Sequence, residues 1–337
     1  MEATIRSPYL LFLADAPYPG WAKTATGIWQ WQRKLCAGQL RLPGCGVDLG
    51  LPDLTPAEAV ARGVRTMIVG VANDGGYISA DWVPAIVAAL QAGLDVASGL
   101  HEPLAGVPEI AAAAAETGRR LVEVRYAGIS FKPGTGIRRS GRRLLTVGTD
   151  CVVGKKYTAL AIDRELRARG ADSDFRATGQ TGIFIAGRGV AVDSVVSDFV
   201  SGAAEWLSPA AAADHWDVIE GQGSLFHPAY AGVTLGLVHG SQPDVLVLCH
   251  DFGRAHLDGY EGFAIPSYEN CMEAYLTAAR LTNPQARFGG VSLNTSRLGD
   301  REAGRALGEV SNRLSMPCCD PIRTGVGLIV ENILNER

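Results

Sequence analysis

The sequence lacks the features that mark several large classes of protein. No apolar run approaches the ~18 residues that a membrane-spanning helix needs, and the chain contains no internal repeat or low-complexity tract. Its 35 Asp and Glu outnumber its 31 Lys and Arg, so a net charge of -4 gives no electrostatic argument for binding nucleic acid or an anionic membrane. We therefore expect a cytoplasmic protein whose partner is a small molecule.

Cysteine provides no sign of a metal centre or of a disulfide framework. The seven cysteines show none of the paired spacings that zinc sites use, and an odd number does not suit a complete set of disulfides. A reducing cytosol fits this pattern, and no metal is firmly implied.

The chain of 337 residues is long enough for two domains. Strand-like and helix-like segments alternate up to residue 126, which is typical of a parallel, Rossmann-like sheet. The G-x-G-x-x-G fingerprint is missing, so a dinucleotide is not implied. Residues 127–143 are rich in glycine and positive charge, and they could be a solvated linker or could clamp an anionic ligand. We predict an α/β protein with a Rossmann-like domain at 1–126, this linker, and a second domain at 144–337.

The second domain opens on a strand–loop–helix segment, LLTVGTDCVVGKKYT at 144–158. Its order of apolar run, glycines, lysine and helix is that of the P-loop, G-x-x-x-x-G-K followed by Ser or Thr. Glycines let the backbone wrap an anion, and the helix N-terminus attracts it. We predict a P-loop-like parallel-sheet domain with these ligand-binding residues: Gly148, Thr149, Asp150, Cys151, Val152, Val153, Gly154, Lys155, Lys156 and Tyr157.

The loop departs from the P-loop pattern in two ways. Thr149 stands where the first glycine belongs, so the loop starting at Gly148 is one residue longer, as in dethiobiotin synthetase, which this loop resembles. Lys156 replaces the hydroxyl that normally binds Mg²⁺, and Thr158 should face another direction. The loop is therefore expected to hold phosphates without necessarily splitting them.

Other strand-like segments of the second domain also end in polar residues. In an open parallel sheet, ligands bind outside the carboxyl ends of the strands. We therefore expect the following residues to gather beside the loop: Gln180, Thr181, Glu220, His250, Asp251, Arg254, Asn294 and Arg297.

Four motifs in a fixed order carry a resemblance to a known family. They are GTDCVVGKKYT, ATGQTG, DSVVSDFVSGAAE and IEGQGSL. Together they resemble the D-glutamate N-acetyltransferase (DgcN-type) family, formerly described only as a domain of unknown function. The resemblance covers most of the chain. It implies acetyl-CoA as the acetyl donor, a D-amino acid, typically D-glutamate, as the acceptor, and a homo-oligomer.

Acetyl transfer to an amine needs a base, donors for the thioester oxyanion, and cations for the substrate carboxylates. Glu220 is the first candidate base, although it could instead hold Mg²⁺ or cap a helix, and His250 with Asp251 forms the second. Gln180, Thr181 and Asn294 are the candidate oxyanion donors, and Arg254 and Arg297 the candidate carboxylate ligands.

Two other functions stay open at this point. The loop alone would also suit an ATP-dependent ligase or kinase resembling dethiobiotin synthetase, or a non-catalytic nucleotide or CoA sensor.

Overall fold

The structure, a computed structural model, describes residues 5–73, 75–126 and 128–335. The chain forms two α/β units, one comprising Met1–Ile129 with Gly179–Ser194 and the other Ser130–Thr178 with Val195–Arg337. Each unit contains a parallel sheet covered by helices, which confirms the predicted fold class. Among the described residues, no helix combines the length and apolarity that a bilayer crossing requires.

The elements up to residue 126 are β1 (Tyr9–Ala14), α1 (Lys23–Trp31), β2 (Cys36–Arg41), α2 (Pro56–Ala61), β3 (Thr66–Val69), α3 (Val83–Ala92), β4 (Asp95–Ser98), α4 (Pro108–Thr117) and β5 (Leu121–Glu123). Those that follow are β6 (Arg142–Gly148), α5 (Lys155–Ala168), β7 (Ser173–Arg176), α6 (Gln180–Ala186), α7 (Val200–Leu207), β8 (Trp216–Ile219), α8 (Ala231–Ser241), β9 (Val245–Asp251), β10 (His256–Leu257), β11 (Tyr260–Ala264), α9 (Tyr268–Arg280), β12 (Arg287–Asn294), α10 (Asp300–Leu314), β13 (Cys318–Cys319) and α11 (Gly327–Asn335).

The first unit is built on a five-stranded sheet in the order β2-β1-β3-β4-β5, with every pair parallel. All six residues of β1 are buried, as expected for a strand inside a sheet that is covered on both faces. The apolar run at residues 9–14 predicts β1 from sequence. The sequence pattern did not predict β2.

One segment belongs to a different unit from the one expected. The sequence places everything after residue 144 in the second domain, whereas Gly179–Ser194 packs within the first unit. The physical reason is α6, which buries Ile183 and Phe184 and binds α1 through Gln32, whose Nε2 donates to the Ile185 carbonyl oxygen at 2.9 Å.

The second unit is built on a six-stranded parallel sheet in the order β13-β12-β9-β6-β8-β7. Strand β6 lies between β9 and β8, so whatever follows β6 is flanked by the carboxyl ends of both neighbours. All seven residues of β9 are buried.

Arginines of the predicted linker are held within the second unit. The first residue of the linker, Ala127, lies outside the described residues. Arg139 donates to the carbonyl oxygens of Ser208 and Gly240 at 2.9 and 2.8 Å, and the fully buried Arg143 donates to the Arg139 carbonyl oxygen at 2.7 Å. Arg142 already begins β6. These arginines therefore lie at the amino end of β6, opposite its glycine-rich end, so they do not clamp an anion held there.

Helices α7 and α8 approach so closely that α8 carries glycine where it faces Ser201. The Ser201 hydroxyl donates to the Gly236 carbonyl oxygen at 3.1 Å, and a Cβ on Gly240 would overlap the Ser201 carbonyl oxygen. Gly240 has an ordinary helical backbone that any residue could adopt. Glycine is required at this position only because a side chain would collide with α7.

We expect Gly240→Ala to destabilise the protein by ~1–3 kcal/mol, since the added methyl group must push the two helices apart. Gly308→Ala in α10 is the matched control, because a Cβ there meets no atom within 4 Å, and it should stabilise by up to ~1 kcal/mol through helix propensity. Urea unfolding midpoints of the two variants measure the difference. Equal effects would contradict the close approach of α7 and α8.

Candidate functional site

The strongest candidate site lies at the glycine-rich end of β6, in the centre of the second sheet. The chain leaves β6 at Gly148 and enters α5 at Lys155, and Gly154 adopts a left-handed conformation with φ of 96°. A Cβ on Gly148 would come within 2.8 Å of the Asp150 carbonyl oxygen, so glycine lets the loop fold back on itself. The loop thus presents the unpaired N–H groups of a 14-residue helix at the carboxyl edge of the sheet.

The tip of this loop is strained. Val152 has φ of 53° and is 61% exposed. A β-branched residue is a genuine outlier in this conformation, and holding one there costs of order 1–3 kcal/mol. Such strain persists where the surroundings enforce it, and here they include the guanidinium group of Arg254.

Lys155 is the cation of the loop. Its buried Nζ donates to the Asp150 carbonyl oxygen at 2.7 Å, and burial lowers its pKa. The Lys156 ammonium lies 4.9 Å from the centre of the next residue's aromatic ring, and the Thr158 hydroxyl is 2.7 Å from Ser292 Oγ on β12. The first turn of α5 therefore has a lysine and backbone N–H groups that could bind an anion. The hydroxyl of Thr158, in the same turn, is already hydrogen-bonded to β12.

Arg254 connects the loop to the end of β9. Its Nη1 donates to Asp150 Oδ2 at 2.8 Å and to the Cys151 carbonyl oxygen at 2.9 Å, and its Nη2 contacts the Val152 carbonyl oxygen at 3.4 Å. Its Nε and Nη2 donate to Asp251 Oδ2 at 3.1 and 2.8 Å. All five N–H groups thus have acceptors within the protein, so Arg254 holds the loop in place, where the sequence analysis predicts a substrate ligand.

Asp251, the last residue of β9, is a buried carboxylate with two unlike oxygens. Oδ2 accepts hydrogen bonds from Arg254 and from Arg297 Nη2. Oδ1 is buried and has no hydrogen-bond partner among the residues that the structure describes. Arg297 is 58% exposed, and Asn294, opposite Asp251 in the register of β12, accepts the backbone N–H of Ser296 at 3.1 Å.

His250 faces the loop from β9. Its Nδ1 lies 2.9 Å from the Thr149 hydroxyl, and its ring packs edge-on against Tyr268 with centres 5.0 Å apart. Burial lowers the pKa of His250 to about 4, and the charge of Arg254 acts in the same direction against that of Asp251. The imidazole is therefore neutral at pH 7, and it holds a proton only weakly.

Glu220 follows β8 on the other side of the loop and is 4% exposed. Its Oε2 accepts the Thr178 N–H at 3.0 Å, and its carbonyl oxygen accepts the Thr178 hydroxyl at 2.6 Å. A Cβ on the next residue, Gly221, would lie 3.1 Å from Lys155 Cδ. Glu220 is thus held beside the lysine, at the point where β7 ends.

Gln180 and Thr181 belong to the first unit, whereas the loop belongs to the second. A Cβ on Gly99 would overlap the Gln180 side chain, and the Thr181 and Thr24 hydroxyl oxygens are 3.3 Å apart. The motif ATGQTG spans the point where the chain passes from one unit to the other, which its sequence does not reveal.

His227 is a member of the site that sequence reasoning missed. One of its ring nitrogens lies within 4.8 Å of both the Asp150 carboxylate and the Cys151 sulfur. Its ring stacks on Tyr230 with centres 4.6 Å apart, and its Nδ1 accepts the Ala229 N–H at 3.2 Å. The available signal was its position seven residues after Glu220, within a segment that follows the same strand.

These three side chains resemble a metal centre in composition, but their contacts fit one poorly. Both Asp150 oxygens already accept protein donors, from the Cys151 N–H on one oxygen and from Arg254 and the Asp258 N–H on the other. Burial raises the pKa of the Cys151 thiol. Nδ1 of His227 already accepts the Ala229 N–H, so that nitrogen is not free to bind a metal.

The fold and the site together define a protein with a Rossmann-like unit and a P-loop-like unit, whose glycine-rich loop carries a buried lysine at the N-terminus of a helix. Residues 132–330 match the P-loop domain, and residues 40–127 the Rossmann-like domain, of a family described as a domain of unknown function, DUF1611. The chain belongs to this family.

Relatives of known name and structure extend over nearly the whole chain. A protein of Tritonibacter scottomollicae named D-glutamate N-acetyltransferase is 50% identical, covering 97% of this chain and 98% of its own. A protein of the same name from Pseudoalteromonas sp. is 45% identical, covering 98% and 99%. The crystal structure of a DUF1611 family protein from Anabaena variabilis is 30% identical, with a TM-score of 0.89 over 98% of this chain and 100% of that one.

The lowered pKa of His250 predicts a pH-dependent stability. An unfolded histidine titrates near ~6.5, so the unfolded chain binds the extra proton between about pH 6.5 and the folded-state pKa of about 4. Stability is then fully present above pH 6.5 and falls across this window, by up to ~1.4 kcal/mol per pH unit. In His250→Asn, which can keep the bond to Thr149, urea unfolding should show a smaller loss between pH 7 and pH 4.5.

His215 provides the control of opposite sign. Burial alone would lower its pKa, but the hydrogen bond to Asp172 and the charge of Asp217 outweigh burial and raise it. The His215 contribution is therefore complete below about pH 6.5 and is lost as the pH rises above it, so His215→Asn should remove a gain of stability seen on lowering the pH toward about 6.5 and leave the slope below that pH unchanged. A His250→Asn protein with the same slope as the wild type would contradict the neutral, buried imidazole.

Proposed function

We propose that this protein transfers the acetyl group of acetyl-CoA to the amino group of D-glutamate. The observation that carries the proposal is the 45–50% identity, over nearly the full length, to two proteins named D-glutamate N-acetyltransferase. The seven unpaired cysteines fit the reducing cytoplasm in which we expect the reaction to occur.

The loop after β6 is the proposed site for the phosphates of acetyl-CoA. It supplies a helix N-terminus, glycine at both ends, and the buried Lys155. Coenzyme A carries phosphates that the reaction does not hydrolyse. A loop with lysine at 156, where P-loop enzymes place a hydroxyl on Mg²⁺, suits a ligand that is held and not split.

The transfer requires a neutral amine. The substrate ammonium first gives one proton to a base, and the amine nitrogen then attacks the thioester carbon. The carbon–sulfur bond breaks as the carbon–nitrogen bond forms, and the CoA sulfur leaves as a thiolate. A second proton passes from the nitrogen to that sulfur, so the products are the N-acetyl amino acid, CoA thiol and one proton.

Three groups at the strand ends are candidates for the base, and their surroundings separate them. A pKa of about 4 makes His250 a weak acceptor for a proton from an ammonium. Glu220 is fixed by Thr178 next to Lys155, at the place proposed for phosphate. Asp251, the third group, is paired with two arginines, but its Oδ1 has no hydrogen-bond partner among the described residues. We therefore favour Asp251 as the group that binds and orients the substrate ammonium, and the assignment of the base is left to the variants below.

A thiol-release assay tests the class of reaction. Incubation with acetyl-CoA, D-glutamate and a thiol reagent should release CoA only when both substrates are present. ADP formed from ATP would instead identify the ligase or kinase that the loop also resembles. Binding of CoA without turnover would identify a sensor.

The same assay connects the activity to the loop. Lys155→Ala removes a charge-assisted contact worth ~1.5–3 kcal/mol, so the acetyl-CoA requirement should rise by roughly tenfold or more. Arg301→Ala removes an exposed charge from α10 and is the control that should change nothing. An unchanged requirement in Lys155→Ala would remove the loop from the donor site.

The Glu220→Gln variant tests whether Glu220 is the base. Glutamine can still accept the Thr178 N–H but cannot accept a proton from the substrate, so a base at 220 would lose roughly 10²–10⁴ in kcat. We expect a loss of less than about tenfold, because Glu220 serves the phosphate end of the site. A loss in the larger range, with CoA binding intact, would make Glu220 the base.

A further inference from the structure

The carboxylate of Asp251 is left half-satisfied in a buried position, and this is the starting observation. Its Oδ2 is shared by two guanidinium groups, while Oδ1 has no hydrogen-bond partner among the described residues. A buried charged oxygen without a donor has lost its hydration and gained no hydrogen bond in exchange, which costs free energy. A ligand that brings an N–H group to Oδ1 would remove that cost.

We propose that Asp251 and Arg297 form the subsite for a free α-amino acid, with Oδ1 accepting the ammonium and Arg297 binding the carboxylate. This inference rests on the proposed function and names the acceptor part of the same site. Arg254 is not available for the carboxylate, because its five N–H groups are taken up by Asp150, Asp251 and the loop carbonyl oxygens. Arg297 uses Nη2 for Asp251, and its side chain is largely exposed.

Exposure supports the same division of roles. The Arg297 side chain is 58% exposed, whereas that of Arg254 is 14% exposed and that of Asp251 only 3%. Arg297 is thus the exposed partner of a buried carboxylate. A carboxylate that draws Arg297 outward therefore opens the way to Oδ1, and it places an ammonium on the neighbouring carbon within reach.

Charge favours an ammonium over a divalent cation at Oδ1. Asp150 and Asp251 contribute two negative charges, and Arg254 and Arg297 two positive charges, so the network is neutral. The α-ammonium and α-carboxylate of an amino acid cancel each other, so binding them leaves the network neutral. A divalent cation would leave two uncompensated positive charges beside two guanidinium groups.

Calorimetric binding of D-glutamate and of glutarate, which lacks the ammonium, tests the subsite without acetyl transfer. The wild-type protein with CoA present should bind D-glutamate at least tenfold more tightly than glutarate. Asp251→Asn should reduce this preference to less than about threefold, and Arg297→Gln should weaken both ligands about tenfold while keeping the preference. Arg313→Ala, which breaks the exposed pair with Glu269, is the matched control and should bind both ligands normally.

The comparison of two ligands separates a specific role from a structural one. A variant that is merely loosened loses affinity for both ligands in proportion, so its preference survives. Equal binding of the two ligands by the wild type, an unchanged preference in Asp251→Asn, or a preference that requires added Mg²⁺ would each overturn the proposal. The binding measurement consumes no acetyl-CoA, so it is independent of acetyl transfer. A protein that prefers D-glutamate to glutarate but releases no thiol from acetyl-CoA would overturn the proposed function and leave the subsite intact.

Discussion

The site depends on one guanidinium group, that of Arg254. Its five N–H groups bind a carboxylate and two carbonyl oxygens of the glycine-rich loop together with the carboxylate that ends β9. The planar fork of arginine can bind in several directions at once, which the point charge of lysine cannot do. The strained conformation of Val152 and the placement of Asp251 are therefore fixed by the same side chain.

This arrangement also explains how four charges can sit close together in a buried place. Buried ions are stable only when their partners and hydrogen bonds are complete. Asp150 and Asp251 are both almost fully buried, and each pairs with Arg254, while Arg297 adds a second partner to Asp251 from the surface. Among the described residues, Asp251 Oδ1 is the oxygen of these two carboxylates that has no donor, so it can accept one more hydrogen bond.

Local patterns predicted the parts of the fold that depend on local interactions. The order of apolar run, glycine and lysine predicted β6, the loop and α5, because strand, turn and helix each have a short-range signature. The sequence could not show that Gln180 and Thr181 belong to the first unit, because this depends on the packing of α6 on α1. Arg254 and Asp150 are 104 residues apart, and only the fold shows that the arginine serves the loop. His227 was missed because its ring reaches the loop through a turn after β8 with no distinctive sequence pattern.

The interpretation joins a loop for phosphate, a guanidinium group that holds the loop, and a carboxylate that receives the amine. The most direct measurement is a crystal structure of the protein with CoA and D-glutamate bound. We expect the CoA phosphates over Lys155, the ammonium within 3.2 Å of Asp251 Oδ1, as a hydrogen bond requires (~2.7–3.2 Å), and Arg254 still bonded to both aspartates. Phosphates bound away from the loop, or an Arg254 that leaves the aspartates to bind ligand, would contradict it.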